Sequence, residues 1–193
     1  WANKKGWKWS ADFLMGKQLT GSRLGILGMG RIGRAVADKA RSFGMIIHYH
    51  NRSKLDKSLE KNAVYHNSLK SLFSVSDFFS INCPATKETK HIINKETLKY
   101  FPDGAVLSNS ARGDMIDDDA MVSSLKSGKI FSLGLDVYNG EPNIHPEYLK
   151  LPNVFALPHL GSSTVTTRTA MGNLAVSNLE EFLKTGKCKN TVT

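Results

Sequence analysis

Gly28-Met29-Gly30-Arg31-Ile32-Gly33 spells G-x-G-x-x-G, and its flanks give the spelling its meaning. An apolar run, Leu24, Ile26 and Leu27, precedes it, and a helical pattern, Ile32, Ala35, Val36 and Ala40, follows. Glycines carry no Cβ, so such a turn lets backbone approach a pyrophosphate. The helix behind it aims its free N–H groups at the phosphates. The hexapeptide alone says little, but a strand ahead and a helix behind turn it into a dinucleotide-binding expectation.

Outward from that turn the chain alternates. Strands are expected at Arg23–Leu27, Met45–Tyr49, Asp77–Ile81, Ala105–Ser108, Ile130–Asp136 and Val154–Leu157. Helices are expected at Arg31–Ser42, Lys95–Phe101, Asp117–Ser127 and, long and amphipathic, Thr164–Leu183; Asn62–Ser74 reads as mixed with a short helix. Alternation of this kind predicts an α/β fold, a Rossmann-type doubly wound parallel sheet with helices on both faces. The division follows as an arm over 1–20, a dinucleotide-binding domain over 21–187 and a tail over 188–193. The arm holds Trp1, Trp7 and Trp9. Packing back on the same domain and packing on a partner subunit are equally open for it.

The 193 residues allow one domain with a real core. No apolar run reaches the roughly 18 residues of a membrane span, and no secretory-signal pattern is present. With only Cys83 and Cys188, a reducing, cytoplasmic setting is expected. The formal net charge of +9 is spread along the chain rather than bunched. A solvated basic surface suited to an anionic cofactor is therefore preferred over nucleic acid, for which no recognition motif exists.

The second strand of a dinucleotide-binding fold usually ends in Asp or Glu, which accepts hydrogen bonds from the adenosine ribose of NAD. Here the strand exits through Asn51-Arg52-Ser53, followed by Lys54. A carboxylate would repel a 2′-phosphate, whereas Arg52 can grip one and Ser53 can donate another hydrogen bond. NADP(H) is expected, with NAD(H) the alternative.

Three further motifs each follow a strand: Ser108-Asn109-Ser110-Ala111-Arg112-Gly113-Asp114, then Gly134-Leu135-Asp136-Val137-Tyr138-Asn139-Gly140-Glu141-Pro142, then Leu157-Pro158-His159-Leu160-Gly161. Strand carboxyl ends are where open α/β sheets bind ligands. Singly, Arg112, Glu141 and His159 read as a turn, an element boundary and a loop residue; together, downstream of the glycine loop, they read as a catalytic set. Asp117, Asp118 and Asp119 read as a helix cap and an acidic first turn rather than a metal site. No metal is expected, since His48, His50, His66, His91 and His145 lack ligand spacing.

These motifs, with the glycine loop, resemble the D-isomer-specific 2-hydroxyacid dehydrogenase family over about residues 6–187. Asn51-Arg52-Ser53 and Cys83-Pro84-Ala85-Thr86 look most like its glyoxylate/hydroxypyruvate reductase branch. The resemblance implies hydride transfer between the nicotinamide and a small 2-oxo or 2-hydroxy acid. His159 would supply the proton to the carbonyl oxygen, with Glu141 favouring the charged ring and fixing its orientation. Arg112 would hold the substrate carboxylate. Asp136 would meet the nicotinamide carboxamide, with Pro84 and Ala111 nearby. The implied cofactor set is Gly28, Met29, Gly30, Arg31, Ile32, Gly33, Asn51, Arg52 and Ser53, completed by Cys83, Pro84, Ser110, Ala111, Arg112, Asp136, His159 and Gly161.

The family also has a substrate domain, for which the residues flanking the alternating region here are too few. The expectation is a cofactor domain of a longer enzyme, binding cofactor but turning over substrate poorly alone, and dimerising through this domain. Phosphoglycerate dehydrogenase-like chemistry with NAD, and a dinucleotide-sensing corepressor without catalysis, are the alternatives.

Overall fold

The structure is a computed structural model that describes residues 10–191; the tryptophans at 1, 7 and 9 lie outside them. Strand β1 (Arg23–Leu27) is the centre of the architecture. Leu24, Ile26 and Leu27 are all buried, so both faces of the strand are covered. Gly25 is required there: a Cβ would come within 1.9 Å of the Ser76 hydroxyl oxygen.

Parallel partners flank β1 on both sides, β2 (Ile46–His50) and β4 (Phe78–Ile81). With β3 (Val64–Tyr65), β5 (Ala105–Asn109), β6 (Ile130–Leu135) and β7 (Val154–Ala156) they form one seven-stranded sheet. Its order is β3-β2-β1-β4-β5-β6-β7, and every pairing is parallel. The chain leaves β1 towards one edge, returns to β4, and proceeds to the other edge. The strand order therefore reverses between β1 and β4, which opens a crevice at their carboxyl ends.

Among the described residues five α-helices connect strands, α1 (Arg31–Ser42), α2 (Lys57–Glu60), α3 (Leu69–Phe73), α4 (Lys95–Leu98) and α5 (Asp118–Ser127), and α6 (Val165–Thr185) follows the last strand. Local chemistry sets their ends. Asn94 and Thr97 make a reciprocal capping box on α4, and Asp117 accepts the Ala120 N–H at the start of α5. Gly128 and Gly186, at φ +79° and +69°, stop α5 and α6.

Two apolar clusters fill the interior. The smaller joins Leu24, Ile26, Met29, Ala37, Ile47 and Tyr49 beneath α1. The larger is built around Phe73, Phe79 and Phe101, whose ring centroids lie 4.7–5.2 Å apart.

The expected strands occur within a residue or so of their predicted bounds. The mixed stretch 62–74 resolves into β3 and α3. Helix α2 lies outside the expected elements; its four residues are too few to show periodicity, and Glu60 ties it to Arg41 and Tyr49. Helix α6 forms where expected but buries no residue, and Leu174, Leu179 and Phe182 stay more than half exposed.

Candidate active site

The β1–α1 turn has three glycines with three different requirements. Gly28 sits at φ +89°, and a Cβ on it would lie 2.6 Å from the Cys83 nitrogen. A Cβ on Gly33 would lie 2.3 Å from the Gly28 carbonyl oxygen. Gly30, by contrast, faces open space, with no described atom within 4 Å of where its Cβ would stand. Gly30 is also the N-cap of α1, and no side chain caps the first turn among the described residues. The result is a void bordered by unpaired N–H groups and the exposed Arg31, with no acidic residue in that turn. Such a cradle fits a pyrophosphate.

Met29 sits differently from its neighbours in the loop. Its side chain is fully buried in the smaller core cluster. Its N–H donates to Asn51 Oδ1 at 2.6 Å. Asn51 is accordingly a tie between the glycine loop and the β2 exit. Arg52 and Ser53 beyond it are exposed.

Cys83 follows β4 and packs its half-buried thiol 3.8 Å from the Met115 sulfur; burial pushes that thiol's pKa up. At the end of β5, Asn109 is 1 % exposed and shapes the turn that follows. Its Oδ1 accepts from the Ala111 N–H at 3.0 Å, and its Nδ2 donates to the Arg112 carbonyl at 2.8 Å. The turn presents Ser110 at the surface and holds Arg112 in solvent, where its guanidinium donates to the Ala111 carbonyl at 2.6 Å.

The His159 loop is gripped at both ends from the exit of β6. Asp136 accepts the N–H groups of Leu160 and Gly161, at 2.6 and 2.8 Å. The Tyr138 hydroxyl donates to the Leu157 carbonyl at 2.6 Å. Between these grips His159 adopts φ +54°, a conformation that needs external support in a non-glycine residue. Its Nδ1 lies 2.8 Å from Glu141 Oε2, and Glu141 Oε1 accepts the Tyr138 N–H at 2.9 Å. The His159 contact, then the Tyr138 N–H and the Arg112 charge, hold the Glu141 carboxyl below the usual glutamate range.

Glycine 113 closes the group. A Cβ there would fall 1.9 Å from the Tyr138 carbonyl carbon, so the peptide carrying the Glu141 loop rests directly on the residue after Arg112. Asp136 thus works first as a clamp on the His159 loop. Asn109, Gly113 and Tyr138 carry roles that the sequence reading did not assign: Gly113 and Tyr138 act through contacts distant in sequence, and Asn109 through a tight local turn. Among the described residues no group of three His, Cys, Asp or Glu side chains could hold a metal ion. The rim therefore offers an anion cradle, an exposed guanidinium and an imidazole oriented by a carboxylate.

Residues 1–161 match the model of the D-isomer specific 2-hydroxyacid dehydrogenase, NAD binding domain. The chain belongs to the D-isomer specific 2-hydroxyacid dehydrogenase family. Within this family it is 43 % identical to the glycerate dehydrogenase of Hyphomicrobium methylovorum over 169 residues, 86 % of this chain and 52 % of the relative. A crystal structure of a glyoxylate reductase from Paecilomyes thermophila superposes with a TM-score of 0.92 at 43 % identity, over 99 % of this chain and 58 % of that one. An NADPH-dependent glyoxylate/hydroxypyruvate reductase from Sinorhizobium meliloti, solved with NADP and malonate, gives 0.87 at 34 % identity, over 100 % and 58 %. The chain spans about half the length of the curated relatives it matches. As the nicotinamide dinucleotide-binding domain of a 2-hydroxyacid dehydrogenase, it has the cradle such a cofactor needs: the space over Gly30 is what a pyrophosphate would fill.

Proposed function

We propose that this domain serves an NADP(H)-dependent reductase of small 2-oxo acids, of the glyoxylate/hydroxypyruvate type. The observation that carries the reading is the His159–Glu141 pair on the same rim as the phosphate cradle. A bound nicotinamide supplies the hydride in such chemistry. His159 donates the proton to the carbonyl oxygen from Nε2, the nitrogen that Glu141 does not engage. Glu141 fixes the ring plane, and Asp136 and Tyr138 fix the backbone on either side. Arg112 pairs with the substrate carboxylate, a role that suits an exposed guanidinium oriented by its own turn.

NADP(H) is the assigned cofactor because the β2 exit carries Arg52 and Lys54 and no carboxylate. The relative solved with NADP supports this. The free Cys83 and Cys188 fit a reducing, cytoplasmic setting. Dimerisation through this domain belongs to the same reading.

The test is titration of NADPH and NADH against wild type and Arg52→Ala. NADPH should bind the wild type more tightly, and Arg52→Ala should weaken NADPH by about 10–100-fold, the loss of a charge-assisted contact. NADH should be unaffected. Equal affinity of the wild type for both would overturn the cofactor assignment. In the full-length enzyme, His159→Ala should abolish most turnover with NADPH still bound; unchanged turnover would remove His159 as the acid.

A further inference from the structure

The loop after β2 is pinned at both feet, and only its middle is free. At the first foot, Asn51 Oδ1 accepts the Met29 N–H at 2.6 Å, and the Tyr65 hydroxyl donates to the Asn51 carbonyl at 3.4 Å. At the second foot, the Leu55 N–H donates to the Tyr49 hydroxyl at 3.0 Å. That hydroxyl in turn donates to Glu60 Oε1 at 2.5 Å. Tyr49 is fully buried and Glu60 is 7 % exposed, so the pair is an interior one. The Glu60 carbonyl accepts the Arg41 guanidinium at 2.8 Å, which fastens α2 to α1. Burial, then the Glu60 contact, pushes the Tyr49 hydroxyl pKa up to about 12, so it remains a donor at any working pH.

Between the feet stand Arg52, Ser53 and Lys54, all exposed. Lys54 Nζ lies 3.9 Å from Glu60 Oε1, so the same carboxylate that receives Tyr49 also steers the second cation of the bow. Two cations in three residues repel one another, and a free loop would splay them. Holding them in one geometry before a ligand arrives removes an ordering cost from binding.

We propose that Tyr49 and Glu60 are specificity-positioning residues: their buried hydrogen bond holds the Arg52–Lys54 bow in the shape that receives a phosphate monoester on the adenosine ribose. This rests on the NADP(H) reading above and deepens it. Neither residue touches the cofactor. Both act through the Leu55 amide and the Lys54 side chain, and the 2′-phosphate is the part of NADP(H) that NAD(H) lacks. Their loss must therefore appear in the ratio of the two affinities.

The experiment is calorimetric titration of the 193-residue chain with NADPH and with NADH, for wild type, Arg52→Ala, Tyr49→Phe and Glu60→Gln. Tyr49→Phe leaves the Leu55 amide and the Glu60 carboxylate without their partner. It should weaken NADPH by about tenfold, the scale of one intramolecular hydrogen bond with an unsatisfied partner, while NADH stays within about twofold. Glu60→Gln retains an acceptor for the hydroxyl but removes the charge beside Lys54, so it should weaken NADPH by less than Tyr49→Phe does and leave NADH within about twofold. A wild type without NADPH preference sinks the cofactor reading itself. If wild type prefers NADPH and Arg52→Ala loses that preference, an unchanged ratio in Tyr49→Phe, or equal weakening of both cofactors, overturns the positioning role alone. Should Tyr49→Phe fail to fold, Glu60→Ala replaces it under the same criterion, since it removes the acceptor and leaves the Leu55–Tyr49 contact in place.

Discussion

His159 Nδ1 lies 2.8 Å from Glu141 Oε2 across 18 residues of sequence. The contact orients an imidazole that would otherwise turn freely at a half-exposed position.

Glu141 is held below the ordinary glutamate value of about 4.3, so the stability contributed by its ionised carboxylate is fully present above that value. It is lost as the pH falls through the lowered Glu141 value. Carbon-13 NMR of the Glu141 carboxyl should show a midpoint below the usual range in wild type. His159→Ala should move it back towards that range. A wild-type midpoint at the ordinary value would contradict the geometry.

The three glycines of the loop should separate under alanine substitution. Gly30→Ala meets no described atom within 4 Å, so stability should stay within about 1 kcal/mol of wild type. Its new methyl group occupies the cradle, and cofactor affinity should fall by at least about tenfold. Gly33→Ala strikes the Gly28 carbonyl oxygen at 2.3 Å and should destabilise the domain by roughly 1–3 kcal/mol or more. Denaturant melts paired with cofactor titration distinguish the two outcomes.

Arg23 opens β1 and grips Asp77, the residue before β4, through two guanidinium contacts at 2.8 and 2.9 Å and its own N–H at 2.9 Å. The Arg23 contact holds the Asp77 carboxyl below the usual aspartate range. Its stabilisation is therefore present above about pH 4 and is lost as pH falls through the lowered value. Because both groups are more than a third exposed, screening limits the effect. Asp77→Ala should cost about 1 kcal/mol at pH 7 by chemical denaturation, and the difference from wild type should shrink near pH 2–3.

Helix α6 should be energetically separable in the 193-residue chain. Phe182→Ser removes an aromatic ring that is 53 % exposed and should change stability by less than about 0.5 kcal/mol. Phe101→Ala removes a ring that is 2 % exposed in the aromatic centre of the core and should cost about 3–5 kcal/mol. Thermal melts of the two variants decide this, and a comparable loss from both would show α6 packed on the domain.

Sequence alone determined the elements whose cause is local. The glycine hexapeptide, the alternation of β1–α1–β2, the Asp117 cap and the Gly128 and Gly186 stops rest on residues within a few positions of one another. Placement of Arg52, Arg112, Glu141 and His159 after strands was legible for the same reason, since a parallel sheet puts all strand exits on one rim. Tertiary structure alone decided which atoms meet across that rim. Strand placement brings Asp136 under the Leu160 and Gly161 amides and Gly113 under the Tyr138 peptide, and the docking of α2 sets Glu60 against Tyr49. It also placed the Met29 side chain in the core and left the apolar side chains of α6 uncovered. Short-range pattern reports how a segment prefers to fold; which distant groups it touches follows from how the strands line up, and that is a property of the packed sheet.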